Sequence, residues 1–190
     1  MKRTLIPLAL LAFAGGAEAE APQAALASLS GTWQSAAPEP WYGGFGWREF
    51  VFRDGRWSLT FTHALDPEMT LRTFQFRTGG GYDVKGESPA VPGAFRTVFA
   101  EDWKHVTLLT EDPALAAAMG MGDCALTVNL ETDISETGCA SWKPVSVCAE
   151  DHDLIAMDET GLRFGVRPPD NDMCDASKTP TALLPAVVKR

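Results

Sequence analysis

Residues 47–63 read WREFVFRDGRWSLTFTH and carry the clearest folding signal in the sequence. Two runs of alternating apolar and polar residues flank Asp54-Gly55, a pair that tolerates the positive φ of a tight hairpin turn. Because successive side chains of a strand point to opposite faces, each run presents one mostly apolar face. The residues expected on these faces are Arg48, Phe50 and Phe52 in the first strand, and Trp57, Leu59, Phe61 and His63 in the second. The stretch therefore predicts a β-hairpin.

The same two-residue period recurs along the chain. Strand candidates lie at 69–77, 95–100, 104–110, 125–134, 145–150, 153–158 and 161–167, and a glycine turn followed by a short strand is expected over 78–86. Leu71 is out of phase with Phe74, which indicates a bulge or a strand buried on both sides. One short helix is expected, capped by Asp112 and ended by Gly120. This pattern predicts an all-β fold, with a closed antiparallel up-and-down barrel favoured over a sandwich.

The first 19 residues have the pattern of a secretory signal peptide. Lys2 and Arg3 precede a mostly apolar run that is too short to span a membrane, and Ala17-Glu18-Ala19 offers small residues for cleavage after Ala19. We therefore expect residues 1–19 to be a signal peptide, 20–27 a flexible segment, and 28–190 one barrel domain. The protein is expected to be periplasmic or secreted, without a membrane span.

The charge balance excludes one class of partner. The chain has a net charge of −9 and no cluster of Lys or Arg. Such a surface repels phosphate backbones and anionic bilayers, so we expect no nucleic-acid partner. A protein partner is not identified by the sequence.

Four cysteines, Cys124, Cys139, Cys148 and Cys174, are expected to form two disulfides in an oxidising compartment. Three pairings are possible, and the local one, 124–139 with 148–174, is favoured. A metal site would need paired C-x-x-C spacing, which is absent, so no metal is predicted.

No motif for catalysis or for a cofactor stands out. His63, His105 and His152 lie at strand edges or in an acidic turn, and no G-x-S-x-G, H-E-x-x-H or glycine-rich phosphate loop occurs. We therefore predict a protein that is not an enzyme and needs no cofactor.

Ser30-Gly31-Thr32-Trp33 precedes the first hairpin. A Gly-x-Trp at the start of the first strand resembles the lipocalin signature, in which the Trp closes one end of the barrel and a late Arg packs across the indole as a cation–π pair. This resemblance implies that Trp33 and Arg163 form the barrel closure.

A second resemblance comes from DCALTVNLETDISETGCASW (123–142), GLRFGVRPPD (161–170) and KTPTALLPAVV (178–188). Together with SLSGTWQS, these segments resemble the family of the adenomatosis polyposis coli down-regulated protein, over about residues 28–188. The resemblance implies a lipocalin-like barrel that binds a lipid or acyl chain inside. Vertebrate members have two such modules and a membrane anchor, whereas this chain has room for one module, so their role in Wnt signalling is not carried over.

An apolar ligand in the barrel is the function that these features favour. The residues predicted to line its site are Phe50, Phe52, Trp57, Leu59, Phe61, Phe74, Phe76, Leu126, Val128 and Phe164. Arg48, Arg72 and Lys85 are candidate partners for a polar head group. An eight-stranded barrel is either filled by side chains or just hollow enough for one small ligand. The alternatives are therefore an envelope module with a filled barrel that binds proteins through an apolar rim at 41–45, or an enzyme on the same scaffold.

Overall fold

The computed structural model describes residues 17–190, with side chains from Pro22 onward. The charged end and the apolar run of the predicted signal peptide fall in residues 1–16, outside this range. Within the described range, no helix combines the length and the apolar character needed to cross a membrane.

Eleven strands and two α-helices make up the described part of the chain. The strands are β1 (Gly31–Ser35), β2 (Glu39–Trp41), β3 (Gly44–Arg53), β4 (Arg56–Ala64), β5 (Arg72–Glu87), β6 (Phe95–Ala100), β7 (Trp103–Leu108), β8 (Glu131–Asp133), β9 (Glu150–Asp158), β10 (Gly161–Phe164) and β11 (Val187–Lys189). The helices are α1 (Ala17–Ala27) and α2 (Pro113–Ala118), with a short 3-10 helix at Ala176–Lys178.

Eight of the strands close into an antiparallel barrel. Its order is β1-β3-β4-β5-β6-β9-β10-β11, and β11 pairs with β1 to complete the circle. Strand β2 adds to the edge of β3, while β7 pairs with the first half of β5 and carries β8. Strand order around the barrel follows the sequence, which confirms the predicted all-β, up-and-down barrel.

The opening hairpin forms as predicted. Asp54 and Gly55 have φ values of 52° and 71°, as a two-residue hairpin turn with two positive φ angles requires. Phe52 faces Trp57 across the two strands, and both side chains are buried in the barrel. The helix signal is also confirmed, because the Asp112 side chain accepts hydrogen bonds from the backbone N–H groups of Ala114 and Leu115 at the start of α2.

The glycine turn predicted at 78–86 is wrong, because β5 runs through it without interruption. A Cβ added at Gly80 would lie 2.2 Å from the carbonyl oxygen of Ala100, and one at Gly79 would lie 2.6 Å from that of Trp57. The glycines therefore permit close strand packing where β5 exchanges its partner β7 for β6. The predicted bulge is confirmed, because Thr73 is the extra residue between the pairs His63–Phe74 and Ala64–Arg72.

Two other predicted strands are wrong. Residues 125–130 form an irregular loop with a turn at 128–129 and φ values of 51° at Ala125 and 62° at Asn129, and only Glu131–Asp133 pairs as a strand. Residues 145–149 form a turn and an irregular segment, and the strand begins at Glu150. In both places the alternating apolar residues occur without the ladder of a neighbouring strand. The favoured disulfides are confirmed, with Cα–Cα distances of 5.4 Å for Cys124–Cys139 and 5.2 Å for Cys148–Cys174.

Helix α1 covers one end of the barrel. Its Leu26 and the following Leu29 are buried in the main core cluster with Trp33 and Phe52. The segment 20–27, expected to be flexible, thus lies within α1 and contributes to the core.

The predicted partner of Trp33 requires a correction. Lys189 is the residue over the indole, with its Nζ 5.6 Å from the ring centroid, because β11 pairs directly with β1 and sets Lys189 opposite Trp33. Arg163 instead binds Asp158 at 2.8 Å and donates to the carbonyl oxygen of Leu184. Trp33 itself is buried at the covered end of the barrel.

Candidate functional site

A cavity inside the barrel opens at the end opposite α1. Six of the ten residues predicted to bind a ligand line it: Phe50, Trp57, Leu59, Phe61, Phe76 and Phe164. The cavity volume is about 60 Å³, and all unfilled space within its outline, including open solvent, is about 670 Å³. Leu59 points inward yet remains half-exposed, because it borders this space.

The other four predicted residues lie elsewhere. Phe52 packs at the covered end against Tyr82, with ring centroids 5.2 Å apart. Phe74 stacks on His63 and meets Trp142 edge-on, outside the cavity lining. Leu126 and Val128 line a separate open groove of about 440 Å³ between α2 and the turns that follow it. For the strand residues Phe52 and Phe74, the alternation predicted burial correctly but not the position along the barrel.

Four aromatic residues of the cavity lining are absent from the predicted binding residues: Trp41, Tyr42, Phe99 and Trp142. Phe99 shares the buried face of β6 with Phe95 and Thr97, and this two-residue period is the signal that would have identified it. Trp142 stacks on Phe76 with centroids 4.5 Å apart and reaches the cavity through a backbone bridge to Cys139. No local pattern marks Trp142, because a disulfide-linked loop brings it to the barrel.

Trp41 and Tyr42 both lie in the segment 41–45 that was predicted as an apolar rim. A Cβ at Gly46 would lie 2.5 Å from Trp41 Cδ1 and 2.6 Å from the Phe61 ring, so glycine makes room for the indole at the cavity mouth. The ring of His63 fixes the backbone here, with Nε2 3.0 Å from the Trp41 carbonyl oxygen and Nδ1 2.6 Å from Thr73 Oγ1. Burial lowers the pKa of His63, so Nε2–H donates to Trp41 while Nδ1 accepts from Thr73.

Charged side chains line the cavity beside these aromatic walls. Arg167 binds Asp151 at 2.6 Å and Asn171 at 2.5 Å, and Tyr42 donates to the same Asn171 oxygen. Glu101 pairs with buried Lys104 at 2.7 Å. Asp153 Oδ1 accepts from the backbone N–H groups of Leu154 and Gly165.

Burial governs the titration of the acidic groups. It raises the pKa of Asp153 to about 7, against the opposing influence of Arg167. Burial also raises the pKa of Glu101, and the nearby Asp151 carboxylate adds to this effect while Lys104 opposes it. These carboxyls therefore titrate closer to neutral pH than exposed ones.

Arg48 is the one candidate head-group residue that reaches the cavity. Only 3% of its side chain is exposed, and Nη2 binds both oxygens of Glu39 at 2.9 Å. Its Nη1 has no hydrogen-bond partner among the described residues, and the same is true of Trp41 Nε1. The other two candidates are exposed. Arg72 donates to the carbonyl oxygen of Met69, and Lys85 pairs with Asp83.

One group of potential metal ligands occurs in the described range, formed by Glu101, Cys148 and Asp151. It does not fit a metal, because Cys148 is in a disulfide and the two carboxylates are engaged by Lys104 and Arg167. His105 and His152 lie away from the cavity lining, beside Glu131 and Glu150.

No protein-family model matches the chain, and no curated protein sequence matches it either. The two sequence resemblances therefore remain predictions.

Proposed function

We propose that this protein is a periplasmic or secreted binding protein whose lipocalin-like barrel takes up the apolar part of a small hydrophobic ligand, such as a lipid or acyl chain. The observation that carries the proposal is the cavity at the open end, which is lined by nine aromatic side chains and left unfilled beside Leu59. Concave apolar sites with a few polar groups are typical of small-molecule binding.

The size of the cavity limits how the ligand is held. Its volume is about 60 Å³, whereas pockets that bury a whole ligand of drug size measure about 300–1,000 Å³. We therefore propose that only the end of the chain enters, while the rest lies in the wider mouth. Burying about three to five methylenes contributes roughly 2–4 kcal/mol at about 0.8 kcal/mol each.

Binding is favoured over catalysis by the way the charges are used. The two basic groups that line the cavity already hold carboxylates, Arg48 with Glu39 and Arg167 with Asp151, and Lys104 behind the lining holds Glu101. The remaining acid, Asp153, accepts hydrogen bonds from the backbone N–H groups of Leu154 and Gly165, so we propose that these carboxylates build the wall rather than act as general bases. The protein is therefore proposed not to be an enzyme.

Export and family membership form part of the same proposal. The two disulfides suggest an oxidising, extracytoplasmic environment. The signal-peptide pattern of residues 1–19 and the resemblance to the adenomatosis polyposis coli down-regulated protein family point the same way.

A protein-binding role is the second candidate. Tyr42, Leu65 and Leu71 are 49%, 45% and 60% exposed, and all three belong to the open end of the barrel. This apolar rim favours contact with a partner protein if the cavity proves empty.

Native mass spectrometry of the mature protein, purified without detergent and then extracted with organic solvent, tests the first candidate. We expect a bound adduct that extraction removes and identifies. Leu59→Trp, which fills the cavity, should abolish the adduct, while Thr60→Trp, on the outer face of the same strand, should retain it. A bare wild-type mass that also ignores added fatty acids would contradict ligand binding and favour the protein-binding role.

A further inference from the structure

Two buried nitrogens in the cavity lining lack an acceptor. Arg48 Nη1 and Trp41 Nε1 are buried without a hydrogen-bond partner among the described residues, and both side chains line the barrel cavity. A third such atom, Trp33 Nε1, belongs to the covered end and does not line the cavity. Buried N–H groups are rarely left unpaired in folded proteins, so a pair of them on one cavity points to an acceptor supplied by a ligand.

These two side chains occupy one wall of the mouth. Arg48 faces Phe61 across β3 and β4, and the Trp41 ring meets Phe61 edge-on at 5.3 Å. Gly46, two residues before Arg48 on the same inward face, lies directly under Trp41 Cδ1, which is bonded to Nε1 in the indole. The residues that carry the two donors, Arg48 and Trp41, are therefore both neighbours of Phe61 in the cavity wall.

The charges around the cavity disfavour an anionic acceptor. At pH 8, above the pKa of about 7 of Glu101 and Asp153, the lining has three charged acids, Glu101, Asp151 and Asp153, and two bases, Arg48 and Arg167. The partners Glu39 and Lys104 add one charge of each sign, so the excess of one negative charge remains. An added carboxylate would increase the negative charge in a poorly solvated site. A hydrocarbon or a cation would leave both donors unpaired.

We propose that the ligand is an uncharged apolar molecule with a carbonyl oxygen, as in a ketone, ester or amide, that accepts hydrogen bonds from Arg48 Nη1 and Trp41 Nε1. This inference rests on the proposed function. It specifies the polar part of the ligand, which the aromatic walls alone do not.

Isothermal titration calorimetry at pH 8 with three probes tests the proposal. 2-Ethylnaphthalene has no acceptor, 2-acetylnaphthalene has a neutral carbonyl, and 2-naphthoate has a negative charge on the same ring. We expect the acetyl compound to bind at least about two- to tenfold more tightly than the ethyl compound, because one neutral hydrogen bond allows this gain and the charged Arg48 donor adds to it. The naphthoate is expected to bind most weakly.

Two variants assign the preference to the named donors. Trp41→Phe keeps a ring but removes Nε1–H, and Arg48→Lys keeps the charge opposite Glu39 but removes Nη1; each should lower the ratio of acetyl to ethyl affinity towards one. Trp33→Phe is the matched control, because Trp33 Nε1 is also buried without a partner among the described residues but lies at the covered end, outside the cavity lining. The control should keep the wild-type ratio.

The outcomes separate this inference from the function it rests on. Equal affinity for the acetyl and ethyl probes, tightest binding of naphthoate, or a ratio unchanged by both Trp41→Phe and Arg48→Lys would overturn the inference while leaving ligand binding in place. Failure of all three probes to bind would count against the proposed function itself.

Discussion

The two ends of the barrel are stabilised by different kinds of interaction. At the covered end, α1 packs onto an aromatic core, and the Tyr82 hydroxyl donates to the carbonyl oxygen of Leu26 while accepting from Leu29 N–H, both at 3.1 Å. At the open end, ion pairs and a disulfide-linked loop surround a cavity. Apolar packing at the first end leaves no room for a ligand.

The difference shows how one barrel can be both stable and partly hollow. Burying charges costs free energy unless they are paired, and the open end pairs nearly all of its charged groups with one another. These ion pairs form the polar part of the cavity wall, while the apolar core at the covered end supplies the hydrophobic stabilisation. Stability and binding should therefore respond to different residues.

The largest effect is expected from the disulfides, both of which lie away from the covered end. Replacing Cys148 and Cys174 with Ala removes a link across 26 residues and should lower the free energy of unfolding by about 3.5 kcal/mol in the chain-entropy model. Denaturant unfolding measures this loss. Hydrogen exchange should accelerate at residues 165–175, which carry Arg167 and Asn171, and stay unchanged in α1 and β1.

The second disulfide provides the matched control. Its link spans 15 residues, so Cys124→Ala with Cys139→Ala should cost about 3 kcal/mol. The exchange increase should move to residues 119–142. Faster exchange at α1 in either double variant would show that the two ends are not independent.

A smaller effect concerns pH. Burial raises the pKa of Asp153 to about 7, well above its value in an unfolded chain. The folded state therefore binds more protons than the unfolded state between about pH 4 and pH 7, and stability should fall as the pH rises through this window. Asp153→Asn, which keeps an oxygen for the N–H groups of Leu154 and Gly165, should flatten the curve. The gain relative to wild type should be on the order of 2 kcal/mol at pH 7 compared with pH 5.

Two other groups shape the same curve. Glu101, whose pKa burial also raises, adds to the fall, so a residual slope remains in Asp153→Asn. The lowered pKa of His63 acts in the opposite direction below about pH 6.5. Asp158→Asn is the control, because Thr160 and Arg163 lower the pKa of this exposed carboxyl to about 2 and its contribution is lost only below about pH 4. A curve that Asp153→Asn leaves unchanged from pH 4 to 7 would contradict the assignment.

The two ends also differ in how far they follow from the sequence. Local rules predicted the hairpin at Asp54-Gly55, the helix at Asp112 and six cavity residues, because a two-residue period directly sets which side chains face inward. The charged wall was not predicted, because Glu101, Asp151 and Arg167 come from three separate segments and meet only when the barrel closes. Alternation was misleading at Leu126 and Val128, where positive φ angles at Ala125 and Asn129 turn the chain away from a strand.

The smallest effect tests which cation caps the covered end. Lys189→Met should remove the cation over Trp33 and lower stability by about 0.5–1 kcal/mol. Arg163→Met, the control, loses the half-exposed pair with Asp158 and should cost a similar amount or less. The readout that separates them is the indole N–H resonance of Trp33 in a nitrogen–proton NMR spectrum. It should shift in Lys189→Met and stay in place in Arg163→Met, because only Lys189 touches the ring. A shift caused by Arg163→Met alone would restore Arg163 as the closing residue and would place the end of β10 nearer to Trp33 than the pairing of β1 with β11 allows.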